Sequence, residues 1–126
     1  KEQNNKMTKE TRFIVTLHPS MIDELDKVKA MTGISRATLV RLVMVKYLDK
    51  LPTTLQHNTD ISLKPVSLNE GQRFLITIPD YIKPKFDEMK ESSGLTKAAI
   101  VRALIQAHLR DYCKEILAVD TQEVNK

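Results

Sequence analysis

Two short segments of the chain alternate between apolar and mixed positions with a period of two. They read Arg-Phe-Ile-Val-Thr-Leu at residues 12–17 and Arg-Phe-Leu-Ile-Thr-Ile at residues 73–78. This alternation of β-branched and aromatic side chains is typical of a strand that buries one face. We therefore predict one strand in each segment. The side chains predicted to face the core are Phe13, Val15, Leu17, Phe74, Ile76 and Ile78.

Each predicted strand is followed by the pattern of two helices. In the first copy Pro19 fits the first helical position, and Gly33 fits the residue that ends the first helix. In the second copy Gly94 has the same place as Gly33, but Pro84 falls inside the expected helix. We expect that helix either to begin late, between Tyr81 and Pro84, or to have a distorted first turn.

The second helix of each copy is apolar nearly all round. Ser35 and Thr96 fit N-cap positions, and the apolar stretches follow at residues 38–48 and 100–109. A helix that is apolar on all sides belongs at the centre of a core.

The two copies align without a gap at an offset of 61 residues, from 12–49 to 73–110. Because chance similarity rarely holds a gapless register over 38 positions, we interpret the alignment as an internal duplication. We expect the matching arginines of the second helices, Arg41 and Arg102, to pair with carboxylates of a first helix. Identical pairs include Asp26/Asp87, Gly33/Gly94, Val40/Val101, Arg41/Arg102 and Leu48/Leu109.

One copy alone cannot bury its apolar helix or pair the main chain of its strand. We therefore predict an α+β, mostly helical domain in which two antiparallel strands lie over four helices, as an intramolecular pseudo-dimer. The expected parts are a flexible basic tail (1–11), the first unit (12–49), a polar linker (50–72), the second unit (73–113) and a C-terminal tail (114–126). The linker is also long enough for two chains to exchange strands, so that pairing between chains is an open alternative to pairing within one chain.

Charge follows the two copies. The formal net charge is +4, and residues 12–49 and 73–110 carry six and seven Lys or Arg against four Asp or Glu each. This mild basicity favours a polyanionic partner. No apolar run approaches the roughly 20 residues that cross a bilayer, and a single Cys fits a reducing compartment. We therefore expect a cytoplasmic protein without a membrane partner.

Residue types that bind metals or perform catalysis are scattered. His18, His57, His108 and Cys113 show no ligand spacing, and the three glycines are isolated, which excludes a phosphate-binding glycine loop. We expect no enzymatic activity, no metal site and no cofactor.

The order of these features resembles the ribbon-helix-helix superfamily, the group that contains the Arc and MetJ repressors. The resemblance rests on the two strand segments, on Gly-Ile-Ser-Arg-Ala at 33–37 and Gly-Leu-Thr-Lys-Ala at 94–98, and on the apolar second helices. Two copies in one chain of this length resemble the TraY family of conjugation accessory proteins, which bind at plasmid transfer origins. The resemblance implies a ribbon that enters the major groove of double-stranded DNA.

The outward side chains of the two strands are the predicted reading face. Arg can bond guanine in the major groove, Thr can bond a base edge, and an aliphatic side chain can contact a thymine methyl. Because the two outward triplets are nearly the same, we expect a nearly palindromic site. The predicted base contacts are Arg12, Ile14, Thr16, Arg73, Leu75 and Thr77.

The N-termini of the second helices are predicted phosphate contacts, because free N–H groups and the helix dipole favour an anion there. Plain capping, with solvated charges, is the alternative. The tail lysines, Lys1, Lys6 and Lys9, either follow the DNA backbone or are solvated. The predicted phosphate contacts are Ser35, Arg36, Thr96 and Lys97.

Three alternatives stay open. The outer face of the strands could be covered by linker residues 61–68, or it could expose Ile14 and Leu75 to another protein. Within DNA binding, a repressor or autoregulator shares the fold expected of a relaxosome accessory protein, whose further partners would be a relaxase or copies of the chain itself. Only the location of the DNA site separates these two roles.

Overall fold

The computed structural model of the chain describes residues 11–57, 61, 66–67 and 69–125, and it describes only the main chain at residues 11 and 119–125. Residues 1–10 of the predicted basic tail, with Lys1, Lys6 and Lys9, lie outside the described residues, as does much of the linker stretch 61–68.

Two strands and five α-helices make up the described fold. The first half contains β1 (Thr11–Leu17), α1 (Pro19–Thr32), α2 (Arg36–Tyr47), a 3-10 turn (Leu48–Lys50) and α3 (Leu51–His57). The second half contains β2 (Gln72–Ile78), a 3-10 turn (Asp80–Ile82), α4 (Lys83–Ser93) and α5 (Lys97–Asn125). The predicted class, a mostly helical α+β fold with a two-stranded antiparallel sheet, is confirmed.

The two strands pair with each other within the one chain. Thr11 lies opposite Ile78, Leu17 lies opposite Gln72, and Ile14 faces Leu75 at the centre. Antiparallel pairing satisfies the main-chain groups along the inner edge of each strand. The inward side chains are fully or partly buried, in the alternation predicted: Phe13, Val15, Leu17, Phe74, Ile76 and Ile78.

The predicted ends of the first helices are confirmed. Gly33 and Gly94 follow α1 and α4 in the left-handed conformation, at φ values of 78° and 74°. Glycine adopts this conformation without a Cβ penalty. Of the two expectations for the second copy, the late start is correct. A 3-10 turn precedes α4, and Pro84 lies in the first turn of α4, where its missing N–H costs nothing.

The apolar second helices, α2 and α5, lie at the centre of the core. They pack against each other, and each also contacts a strand, so that most sides of their apolar stretches are buried. The fully buried residues of these two helices include Leu39, Val40, Val43, Met44, Ile100, Val101 and Leu104.

The linker and the C-terminal tail contain helices that the sequence analysis did not predict. Helix α3 lies within the linker, with Leu51 and Thr54 buried. The Thr54 hydroxyl and His108 Nε2 are 2.7 Å apart, and the His108 ring stacks on Tyr47 at 4.3 Å. Helix α5 continues past residue 113, through the predicted tail, to Asn125. These contacts extend the core beyond the boundaries expected from the repeat.

Truncation of Leu51 to Ala should lower the free energy of unfolding by about 2–5 kcal/mol, because it leaves a cavity in the core. The matched control is Thr53→Ala on the exposed side of α3, expected to change it by less than about 0.5 kcal/mol. Urea denaturation measures both. Equal effects would contradict the packing of α3 described above.

Stability should fall as the pH falls below the ordinary pKa of histidine. Burial lowers the pKa of His108, since it disfavours the imidazolium. The unfolded chain then binds a proton that the folded chain does not. The contribution of neutral His108 to stability is therefore complete above the unfolded pKa, and it is lost as the pH falls from that value through the folded pKa. Urea denaturation at several pH values should show a shallower acid loss in His108→Gln than in wild type. Parallel profiles would contradict this.

Candidate nucleic-acid interface

The outer face of the ribbon carries all six side chains predicted to contact bases. The register places Arg12 opposite Thr77, Ile14 opposite Leu75, and Thr16 opposite Arg73. The two arginines are exposed and the two threonines are partly buried.

The centre of this face is aliphatic and open. Ile14 is 50% exposed and Leu75 is 56% exposed. Among the described residues no other element covers this pair. Near the end of the ribbon, a Cβ at Gly71 would lie 2.6 Å from Thr16 Cγ2 and 2.7 Å from Val66 Cγ1. Gly71 therefore lets the linker approach one end of the ribbon closely, while no described residue covers the centre of the face.

Arg102 fixes β1 from below. The residue is 4% exposed, and its Nη1 donates to the main-chain carbonyl of Thr16 at 3.0 Å. Burial lowers the pKa of Arg102, since it disfavours the charged form. The expectation that this arginine pairs with a carboxylate of a first helix is wrong, because its position in the middle of the apolar helix brings it under the strand. A charged residue between Val101 and Ala103 was the available signal.

The residues before the second helices cap them, as predicted. Ser35 Oγ accepts from the Thr38 N–H at 3.3 Å, and Thr96 Oγ1 accepts from the Ala99 N–H at 3.1 Å. Both side chains are exposed. Each cap satisfies one free N–H of the first helical turn and leaves others directed outward. Ser35 and Thr96 therefore lie where an anion could bind.

Arg36 and Lys97, the two basic residues predicted to contact phosphates, differ in their partners. Arg36 forms an ion pair with Asp26, with Nε 2.6 Å from Oδ1, and its guanidinium lies 5.8 Å from the centre of the Phe74 ring. Lys97 Nζ lies 5.4 Å from the centre of the Phe13 ring. Both cations thus lie over aromatic side chains of the inward face of the ribbon.

In the second copy, the carboxylate at the position of Asp26 has a different partner. Asp87 pairs with Lys83 at 2.8 Å, and this bond holds the pKa of Asp87 below its usual value. The pairing of Arg36 with Asp26, and of Asp87 with Lys83, was not foreseen from the sequence. Sequence similarity between the copies therefore does not extend to their charge pairs.

The described residues contain no group of three His, Cys, Asp or Glu side chains that could hold a metal ion. Within the same residues, no helix combines the length and the apolar character needed to cross a bilayer.

Comparisons of the chain with protein-family models, with curated proteins and with solved structures gave no match.

Replacement of Arg102 by Ala should lower the free energy of unfolding by at least about 1.5–3 kcal/mol, the usual contribution of a hydrogen bond to a charged group. The matched control is Arg41→Ala, the same position in the first copy, for which the structure shows no such bond among the described residues. Urea denaturation of both variants measures the difference. An equal or larger loss in Arg41→Ala would contradict the role given to Arg102.

Proposed function

We propose that the chain binds double-stranded DNA in a sequence-specific manner by inserting the β1–β2 ribbon into the major groove. The observation that carries the proposal is the open aliphatic pair Ile14 and Leu75, flanked on the same face by Arg12 and Arg73. The major groove accepts a two-stranded ribbon, and thymine methyls offer an apolar surface to such a pair. An exposed aliphatic centre flanked by arginines has a clear use there.

We further propose that the two copies form an intramolecular ribbon-helix-helix pseudo-dimer. Ile14 and Leu75 are equivalent positions at the 61-residue offset, and they face each other in the ribbon. Tyr47 and His108 are also equivalent positions, and their rings stack with an interplanar angle of 2°. Two pairs of equivalent residues that meet each other support a pseudo-twofold axis through both pairs.

Contacts away from this axis also come in equivalent pairs. Lys97 lies over Phe13, and Arg36 lies over Phe74, so that each copy places its cation on the aromatic ring of the other. An arrangement of this kind presents two nearly equal halves to DNA. Because the halves carry Arg-Ile-Thr and Arg-Leu-Thr, the preferred site is a near-palindrome centred on the Ile14–Leu75 pair.

Phosphate contacts then flank the ribbon at the starts of α2 and α5. Ser35 and Thr96 are exposed caps, and their helices offer free N–H groups to an anion. In the first copy Arg36 must share its charge between Asp26 and a phosphate. Phosphate contacts of this type set the position of the protein on DNA without reading its sequence.

For the biological role we propose an accessory protein of a plasmid transfer origin, with a relaxase among its partners. The support is the resemblance of a tandem arrangement of this length to the TraY family. A transcriptional repressor with the same reading face is the competing role. Footprinting on the replicon that carries the gene distinguishes the two, because protection lies at the transfer origin in one case and over a promoter in the other.

Replacement of both Arg12 and Arg73 by Ala should remove the preference of the protein for its selected site, since each bidentate contact to guanine contributes about 1–3 kcal/mol of discrimination. The probes are a duplex selected from a random pool and a scrambled duplex, both measured by fluorescence anisotropy. Wild-type affinity should also fall steeply with salt, with a log–log slope near −4 if about four phosphate contacts form.

The matched control is the double variant Lys46→Gln and Lys50→Gln. It removes the same charge from the last turn of α2 and from the 3-10 turn that follows it, away from Ser35. It should weaken binding to both duplexes equally and leave their ratio unchanged. A ratio that survives the loss of Arg12 and Arg73 would refute the ribbon as the reading face, and the absence of any salt-dependent duplex binding would favour a protein-interaction module.

A further inference from the structure

An apolar groove lies between the last turns of α1 and the middle of α5. Its volume is about 390 Å³. Val28 and Cys113 are buried in its floor, Leu117 is partly buried, and Met31 is 55% exposed at its side. Met31 is one of the few large apolar side chains that the described residues leave this open.

The groove exists because the two copies differ after their second helices. In the first copy the helix ends at Tyr47, and after the turn Leu48–Lys50 the chain forms α3, which packs against α4 and α5. In the second copy α5 runs on without a break beside α1. Among the described residues, the internal duplication therefore supplies no second segment that fills this place.

Charged side chains line the rim of the groove, and most of them are cations. Lys27, Arg110 and Lys114 stand against one carboxylate, Glu24. Glu24 already accepts from Arg110 at 3.2 Å and lies 3.9 Å from Lys27. The rim therefore has a surplus of positive charge. This favours an occupant with an apolar side chain for the floor of the groove and an acidic side chain next to it for the rim.

An exposed apolar ring next to an exposed carboxylate is present elsewhere on the same chain. Tyr81 is 74% exposed on the 3-10 turn before α4, and Asp80 beside it is exposed as well. The turn is held in place because the Ile82 N–H donates to the Pro79 carbonyl at 3.2 Å and the Ile82 side chain packs against the core. The Tyr81 ring is therefore presented to solvent on a fixed support.

We propose that the groove of one molecule binds the Asp80–Tyr81 turn of a second copy of this chain. The ring of Tyr81 occupies the apolar floor beside Met31, and the carboxylate of Asp80 faces the cationic rim. Because the two contacting surfaces differ, the contact is heterologous and adds molecules head to tail without closing. A single ring in a groove buries little area, so the association is weak and transient in solution. The proposal does not depend on DNA binding.

A photo-cross-linker at the position of Tyr81 tests this contact in the full chain. With p-benzoylphenylalanine in place of Tyr81, irradiation of a mixture of ¹⁴N- and ¹⁵N-labelled protein should give cross-links between molecules. Mass spectrometry should locate them at residues 24–31 or 110–117. Cross-links that map to other surfaces, including one Tyr81 turn to another, would overturn the proposal, as would their absence at millimolar concentration.

Substitutions on the groove side give the matched comparison. Met31→Lys should lower the yield of these cross-links at least about tenfold, because it brings a further cation into an apolar, positively rimmed groove. Ala30→Lys makes the same charge change at the neighbouring exposed position, outside the groove, and should leave the yield unchanged. Both positions are exposed, so an unchanged melting temperature checks that the fold is intact. Equal yields in the two variants would refute the groove.

A heterologous contact also predicts how two different variants behave when they are mixed. Met31→Lys retains a working Tyr81 turn, and Tyr81→Ser retains a working groove. Sedimentation at high concentration should therefore show each variant as a monomer and their equimolar mixture as a dimer that grows no further. A mixture that stays monomeric while wild type associates would rule out the proposed pairing.

Discussion

The main-chain pairing of β1 with β2 is the constraint on which the other features of the structure depend. A single strand leaves its N–H and C=O groups without partners, and each of these strands has only the other to pair with among the described residues. Their pairing brings the two halves of the chain together, although 54 residues separate Leu17 from Gln72. It thereby encloses the apolar stretches of α2 and α5, residues 38–48 and 100–109, which need burial on most of their sides.

The same pairing creates the face to which we assign DNA binding. Because side chains alternate along a strand, burial of Val15, Leu17, Ile76 and Ile78 directs the other set outward. Support comes from beneath, where Arg102 holds the carbonyl of Thr16. Among the described residues this guanidinium has no carboxylate partner, so its burial costs desolvation energy, and the benefit is a fixed strand. A rigid support of this kind suits a surface that reads base edges, since these contacts depend on geometry.

The strands, the glycine ends and the caps were predictable from the sequence because each depends on local chemistry. The alternation at 12–17, the left-handed glycines Gly33 and Gly94, and the hydroxyl of Ser35 all act within a few residues. Helix α3 was missed because its short polar sequence carries little pattern, and Leu51 is buried only by contacts with distant helices. The partners of Arg36 and Arg102 were likewise decided by packing in three dimensions.

Methylation interference at guanine N7 tests the central claim most directly, because this atom is reached only from the major groove. The probe is a duplex selected for binding from a random pool and methylated lightly with dimethyl sulfate. We expect methylation to block binding at guanines placed nearly symmetrically about the centre of the site, and Arg12→Ala to abolish the effect in one half only. Binding that is unaffected by N7 methylation at every guanine of the site would contradict a ribbon in the major groove.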